Sequence, residues 1–311
     1  MPDLLEGIHH ITAITTDAPR NVDFYARLIG LRLVKKTVNF DAPDVYHLYY
    51  GDEAGSPGSI LTFFEFPGAA RGRPGAGMIH RIGWRVGSET ALDFWASRLG
   101  GEGVASEREG NRLRFADPEG LGLELVHVQS GDPPLVAAAE GVPSEYALQG
   151  FDGARAYTTA PERSAALLDR TLGFERDGDG DQDWVCAGEA RGAGWRYDPP
   201  PPERGLQGAG TVHHIAWASR DSDHQAWLDT VASAGAHATP IIDRQYFRSI
   251  YFREPSGVLF EIATLGPGFA IDEDPEHLGE ALRLPPRHEH LRERLERTLT
   301  PLTNPRAEPV A

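Results

Sequence analysis

One pattern recurs four times along this chain of 311 residues. It consists of a short apolar strand, an amphipathic helix closed by glycine, and then strand-forming runs ending beyond a tight turn. The opening strands are IHHITAIT (8–15), MIHRIGWRV (78–86), ARAYTT (154–159) and VHHIAWAS (212–219). The first helix is expected from its N-cap Asp17 through Val22, Phe24, Tyr25 and Leu28 to Gly30. The second runs from Ser88 to Leu99, the third from Pro161 to Leu172 and the fourth from about Asp221 to Ala234, each followed by glycine. The closing strands share a frame too. Asp117-Pro118-Glu119-Gly120 leads to Glu124, Glu254-Pro255-Ser256-Gly257 leads to Glu261, and Ser56-Pro57-Gly58 leads to Thr62. Module 3 diverges most, and its closing strand falls near Trp195 to Tyr197.

A repeat of this kind fixes the fold class more firmly than any local motif. Each copy reads βαβββ, so the chain is α+β. A unit with one helix cannot cover both faces of its own sheet, and four units therefore imply two pseudo-symmetric pairs. In sequence order the chain divides at residues 1–147 (modules 1 and 2), 148–265 (modules 3 and 4) and 266–311, a C-terminal extension with one helix. In that extension PPRHEHLRERLERTLTPL places Leu291, Leu295 and Leu299 on one stripe. The stripe should pack on the body of the chain, or between copies in a homodimer or higher homo-oligomer. Residues Asn304 to Ala311 are expected to fray.

Composition narrows the function. Forty per cent apolar and 24% charged residues suit a core-forming chain. A formal charge of −16 argues against nucleic acid or an anionic membrane surface as partner. No apolar run approaches the ~20 residues needed to span a bilayer. MPDLLEGIHH lacks the basic and apolar regions of a signal peptide, and the single Cys186 can form no internal disulfide, which together predict a cytoplasmic protein.

The repeat also sorts the twelve histidines. His224, His237, His277, His288 and His290 fall on expected helix or loop surfaces. His10 and His214 occupy one frame position of the first strand, each preceded by another histidine, where module 2 has Arg81 and module 3 has Gly153. The closing-strand frame holds Glu261, Glu124 or Thr62. If modules 1 and 4 pair, His10, His214 and Glu261 converge. Two imidazoles and one carboxylate suit a borderline divalent ion and leave about three open positions, the facial triad associated with nonheme iron(II) oxygenases. Glu124 is the internal control, since its partner frame carries Arg81, and it reads as a structural ion pair.

Three runs, HHITAITTDAPRNVDFYARLIGLRLVKKTVNFD, YHLYYGDEAGSPGSILTFF and DRQYFRSIYFREPSGVLFEIATLGPGF, resemble the ring-cleaving dioxygenase branch of the vicinal oxygen chelate superfamily, in particular hydroquinone 1,2-dioxygenases. The resemblance implies four βαβββ modules forming two paired, half-open mixed β-barrels. It implies an Fe(II) site, or alternatively Mn(II), at His10, His214 and Glu261, and O2 as co-substrate. The implied reaction is insertion of both oxygen atoms into a phenolic ring, extradiol in type, with hydroquinones (chlorinated ones included) ahead of catechols as substrates.

Proton handling calls for further residues. Thr12 shares the face of His10, Tyr251 sits on the strand before Glu261, and His47 and Tyr49 are its module 1 counterparts. The resemblance marks Tyr251, Arg244 and His213 as groups around the metal, although strand alternation points His213 away from it. Two rival readings share the fold. A glyoxalase-like metal-dependent isomerase or lyase would want a fourth, carboxylate ligand where Thr62 stands, and a non-catalytic small-molecule-sequestering protein would lack the ligand set.

Overall fold

Each of the four modules forms as read, in a computed structural model that describes residues 2–178 and 182–306. Module 1 comprises β1 (Ile8–Thr15), α1 (Ala18–Val22, continued by a π-helical stretch over Asp23–Leu28), β2 (Arg32–Asn39), β3 (Ala42–Gly51) and β4 (Ile60–Glu65). Module 2 comprises β5 (Met78–Val86), α2 (Glu89–Gly101), β6 (Ser106–Glu109), β7 (Arg112–Ala116) and β8 (Gly122–His127). Module 3 comprises β9 (Phe151–Tyr157), α3 (Glu162–Ala165, with a π-helical stretch over Ala166–Thr171), β10 (Glu175–Arg176), β11 (Asp183–Ala187) and β12 (Gly192–Asp198). Module 4 comprises β13 (Val212–Ser219), α4 (His224–Ser233), β14 (Ile242–Asp243), β15 (Arg248–Arg253) and β16 (Leu259–Thr264). Asp17 caps its helix as expected and Ser88 caps α2, accepting from the backbone N–H of Arg20 and Ala91 respectively. The opening strand of module 3 starts at Phe151, earlier than the apolar run at 154 suggested.

These strands make two eight-stranded mixed sheets, ordered β14-β15-β16-β13-β1-β4-β3-β2 and β10-β11-β12-β9-β5-β8-β7-β6. Modules 1 and 4 therefore share one sheet, and modules 2 and 3 the other. The sheets cross the sequential division at residue 147, each taking one module from either side. At the centre of the first sheet, β1 runs antiparallel to β13, with Thr12 opposite His214 and His10 opposite Ala216. Parallel partners flank them, Thr62 beside Thr12 and Glu261 beside Ala216.

That central pairing slips by one residue at His9 and again at His213. The second sheet slips at the matching places, His80 and Asp152. Each of the four opening strands thus carries one β-bulge, which suspends strict in–out alternation and re-aims the extra side chain.

Turn acids lock neighbouring modules across the sheets. Asp117 accepts the N–H groups of Glu119 and Leu121 and the hydroxyl of Tyr25 from module 1. Glu254 does the same in its own turn and takes Tyr197 and Ser164 from module 3. Gly120 (φ 95°) and Gly257 (φ 110°) supply the left-handed residue both turns need. The C-terminal stripe packs on the body: Leu295 is fully buried, and Tyr46 donates to the carbonyl of Thr300.

Two expectations are corrected. His224 is fully buried, because as the first residue of α4 it shares a face with buried Trp227 and Val231, and its Nδ1 meets Ser219 Oγ at 3.1 Å. Fraying does not begin at Asn304, since Arg306 reaches Glu53 and the carbonyl of Ala138; residues 307–311 lie outside the described residues.

Candidate metal centre

His10 Nε2, His214 Nε2 and Glu261 Oε2 converge at the centre of the first sheet. Each nitrogen lies near the same carboxylate oxygen, at 3.3 Å and 2.9 Å, and the two nitrogens are 3.3 Å apart. Glu261 is wholly inaccessible to solvent, yet neither of its oxygens has a hydrogen-bond partner of acceptable geometry. An unsatisfied buried carboxylate is costly unless something other than a hydrogen bond completes it. The donor set, three atoms facing one another from three strands, fits a divalent cation. His10, His214 and Glu261 form the potential metal-holding cluster found among the described residues.

The outer nitrogens are matched as well. His10 Nδ1 lies 2.9 Å from His9 Nδ1, and His214 Nδ1 lies 2.8 Å from His213 Nδ1. A ligand imidazole that offers Nε2 keeps its proton on Nδ1, and each preceding histidine is placed to accept that proton in a hydrogen bond. Burial first, and the adjacent ring second, drive His9 down to about 3 and His213 to about 4, so both stay neutral.

The cluster sits at a cavity of about 270 Å³ whose walls include Phe40, Phe64, Phe66, Phe247 and Leu259. All five further residues read from the sequence, Thr12, His47, His213, Arg244 and Tyr251, line it. Tyr251 accepts from Arg244 Nε at 3.2 Å, and Arg244 Nη1 reaches Asp41 at 3.1 Å, joining module 4 to the β2–β3 turn of module 1. Burial and the nearby Glu261 carboxylate raise the Tyr251 phenol, which stays protonated. His213 lines the cavity although strand alternation points it away from the His10–His214–Glu261 cluster, and its bulge is the reason. Glu124 pairs with Arg112 Nη1 at 2.7 Å and Arg114 Nε at 3.5 Å, as a structural ion pair should.

Sequence comparison matches residues 7–134 and 150–262 to the model of the Glyoxalase/Bleomycin resistance protein/Dioxygenase superfamily. The chain belongs to that superfamily. Among its members, the Bacillus subtilis "Putative ring-cleaving dioxygenase MhqO" is 45% identical over 302 residues, covering 95% of this chain and 96% of that protein. The "Chlorohydroquinone/hydroquinone 1,2-dioxygenase" of Sphingobium indicum is 34% identical over 96% of this chain and 97% of its own. A crystal structure of a "putative dioxygenase" from Bacillus subtilis superposes with a TM-score of 0.89 at 41% identity, over 97% of this chain and 98% of that one. Glyoxalase I from Zea mays shares the superfamily fold, with a TM-score of 0.58 at 14% identity over 83% and 92% of the two chains. No helix among the described residues is long and apolar enough to cross a membrane.

Several residues around this cluster have no counterpart among those read from the sequence. His9 is one, although its frame equals that of His213. Phe247 packs on both His9 and His10, with ring centroids 4.9 Å away. It belongs to the loop 244–247, in which Gln245 adopts φ 68°. Asp272, from the C-terminal extension, holds that loop by accepting from Gln245 Nε2 at 2.8 Å and Tyr246 OH at 3.1 Å. The same carboxylate takes Lys35 Nζ at 2.6 Å, and fully buried Lys35 also pairs with Glu273 and donates to the carbonyl of Phe269. Nothing in the local sequence joins residues more than two hundred positions apart.

Proposed function

We propose that this protein is a ring-cleaving dioxygenase that inserts both atoms of O2 into a hydroquinone-type phenol at an Fe(II) or Mn(II) ion held by His10, His214 and Glu261. The observation that carries the reading is Glu261, a buried carboxylate without a hydrogen bond, facing two imidazoles at the foot of an aromatic cavity. The ion would supply Lewis acidity toward a phenolate and a place for O2 beside it. A cavity on the order of 150 Å³ already holds benzene, so 270 Å³ has room for one substituted ring.

The chain's own residues then have distinct tasks. The phenylalanines exclude water and hold the ring by apolar and edge contacts. Arg244 brings fixed positive charge to the wall, favouring a bound phenolate over the neutral phenol. Protonated Tyr251, in contact with Arg244, offers a hydroxyl for hydrogen bonding to an oxygen bound near Glu261. His9 and His213 fix the tautomer of the ligand imidazoles. Hydroquinones are preferred as substrates because the hydroquinone dioxygenase relative matches nearly end to end.

Glyoxalase-type chemistry is disfavoured by Thr62, which occupies the carboxylate frame of module 1 and is engaged with Thr12 and His47. The test is turnover of hydroquinone under 18O2 with mass analysis of the product. Two labelled atoms in a ring-opened acid or semialdehyde support the proposal. Because an aldehyde oxygen exchanges with water, the semialdehyde is reduced as it forms; one labelled atom in the trapped product, or an unopened ring, then refutes it.

A further inference from the structure

Module 1 repeats the layout of module 4 with one change. Tyr49 stands opposite Thr62 in register as Tyr251 stands opposite Glu261, so a threonine replaces the carboxylate. Thr62 is completely buried and lies at the middle of an unbroken line of polar atoms. Tyr49 OH is 2.9 Å from His47 Nδ1, His47 Nε2 is 2.8 Å from Thr62 Oγ1, and Thr62 donates to Thr12 Oγ1 at 2.9 Å.

One arrangement of hydrogens satisfies this line. Thr62 has a single hydroxyl proton and gives it to Thr12, so its contact with His47 uses a proton on His47 Nε2. Burial, and then the His10 and His214 rings, hold the His47 pKa well below its ordinary value, so the ring is neutral. A neutral ring carries one N–H, which leaves Nδ1 bare to accept from Tyr49. At the far end the Thr12 oxygen is already an acceptor. Its own hydrogen meets no acceptor among the described residues, and Thr12, only 1% exposed, lines the cavity two residues from His10.

We infer that Thr62 is a positioning residue: the chain Tyr49–His47–Thr62 fixes the direction of the Thr12 hydroxyl so that it donates into the cavity, to a phenolic oxygen of the substrate. The identity of that acceptor rests on the dioxygenase reading. The direction of the chain does not. A donor aimed in advance at an oxygen that gains negative charge stabilises that charge without reorganising during the reaction. Neighbouring hydrogen bonds in a line polarise one another, so removing an inner member weakens the terminal donor.

Thr62→Val removes the inner hydroxyl without touching the cavity wall, and Thr62→Ser retains it. With metal content equal to wild type, Thr62→Val should lower kcat/KM for hydroquinone about tenfold or more, and Thr62→Ser should stay within about threefold. A Thr62→Val enzyme as active as wild type, or a serine variant no better than the valine one, overturns the inference. Nitrogen-15 NMR of His47 in zinc-loaded protein reads the direction without turnover. A proton on Nε2 in wild type, lost or shared with Nδ1 in Tyr49→Phe, supports the chain, and a proton on Nδ1 in wild type overturns it. Should wild type turn over no phenol at all, the dioxygenase reading fails and the tautomer alone decides the chain.

Discussion

Replacing His9 with leucine keeps its apolar bulk against Phe247 but removes the acceptor 2.9 Å from His10 Nδ1. His9 is 2% exposed, so no water replaces it, and a protonated His10 Nδ1 is left unsatisfied in the interior. An orphaned buried donor costs about 1–3 kcal/mol, which corresponds to roughly 5- to 150-fold in an equilibrium constant. Loss of such an outer hydrogen bond typically weakens metal binding about 10- to 100-fold. The same change at His213 should cost less. Although its ring is partly desolvated by its neighbours, His213 as a residue remains open to solvent, and water can take over as the acceptor for His214 Nδ1. Anaerobic competition with a chelator for Mn(II) measures both. The expected order is wild type tightest, His213→Leu next and His9→Leu weakest. Equal affinity in all three, or a larger loss at His213, would refute the reasoning that solvent access grades these two partners.

Further outcomes follow from the buried charges. Burial raises Asp117 from 3.8 to about 6 against the pull of its N–H partners and Tyr25. Its contribution to stability is therefore present below the unfolded value and lost as pH rises through about 6, amounting to about 3 kcal/mol over the full window. The melting temperature of Asp117→Asn relative to wild type should shift in the variant's favour between pH 4 and 8, and a pH-independent difference would contradict this. Lys35→Met strips the buried Glu273 of a cation, leaving Arg283 at 3.2 Å, and should lower stability by about 3 kcal/mol in urea unfolding. Asp272→Asn loosens the loop that carries Arg244 and Phe247, and should raise KM for hydroquinone about three- to tenfold with metal affinity unchanged. A rise in the metal Kd instead would place Asp272 in support of the ligands.

Much of this architecture was legible because the repeat supplied its own controls. The frame that aligned His10 with His214, and set Glu261 against Glu124 and Thr62, reproduces the registers across β1, β13, β4 and β16. Alternation along a strand failed where a bulge intervened. It sent His213 away from the cavity and gave no reason to single out His9, whereas the extra residue in each strand folds its ring back onto the next imidazole. The surface assignment of His224 failed because it ignored the helical face that His224 shares with Trp227 and Val231, three and seven residues on. Contacts set by tertiary packing had no local signal: the hold of Asp272 on residues 244–247 joins the C-terminal extension to a loop of module 4. Likewise Thr62 could be read as the absence of a ligand, but not as the centre of a hydrogen-bonded line, because that line needs three strands in register.

The most direct test of the central claim is metal analysis of anaerobically purified protein, paired with oxygen uptake on hydroquinone, for wild type, Glu261→Ala and Glu124→Ala. Close to one iron or manganese per chain is expected in wild type and in Glu124→Ala, with oxygen uptake in both, and loss of metal and uptake in Glu261→Ala alone. Metal retained at full occupancy in Glu261→Ala, or lost on changing Glu124, would contradict it.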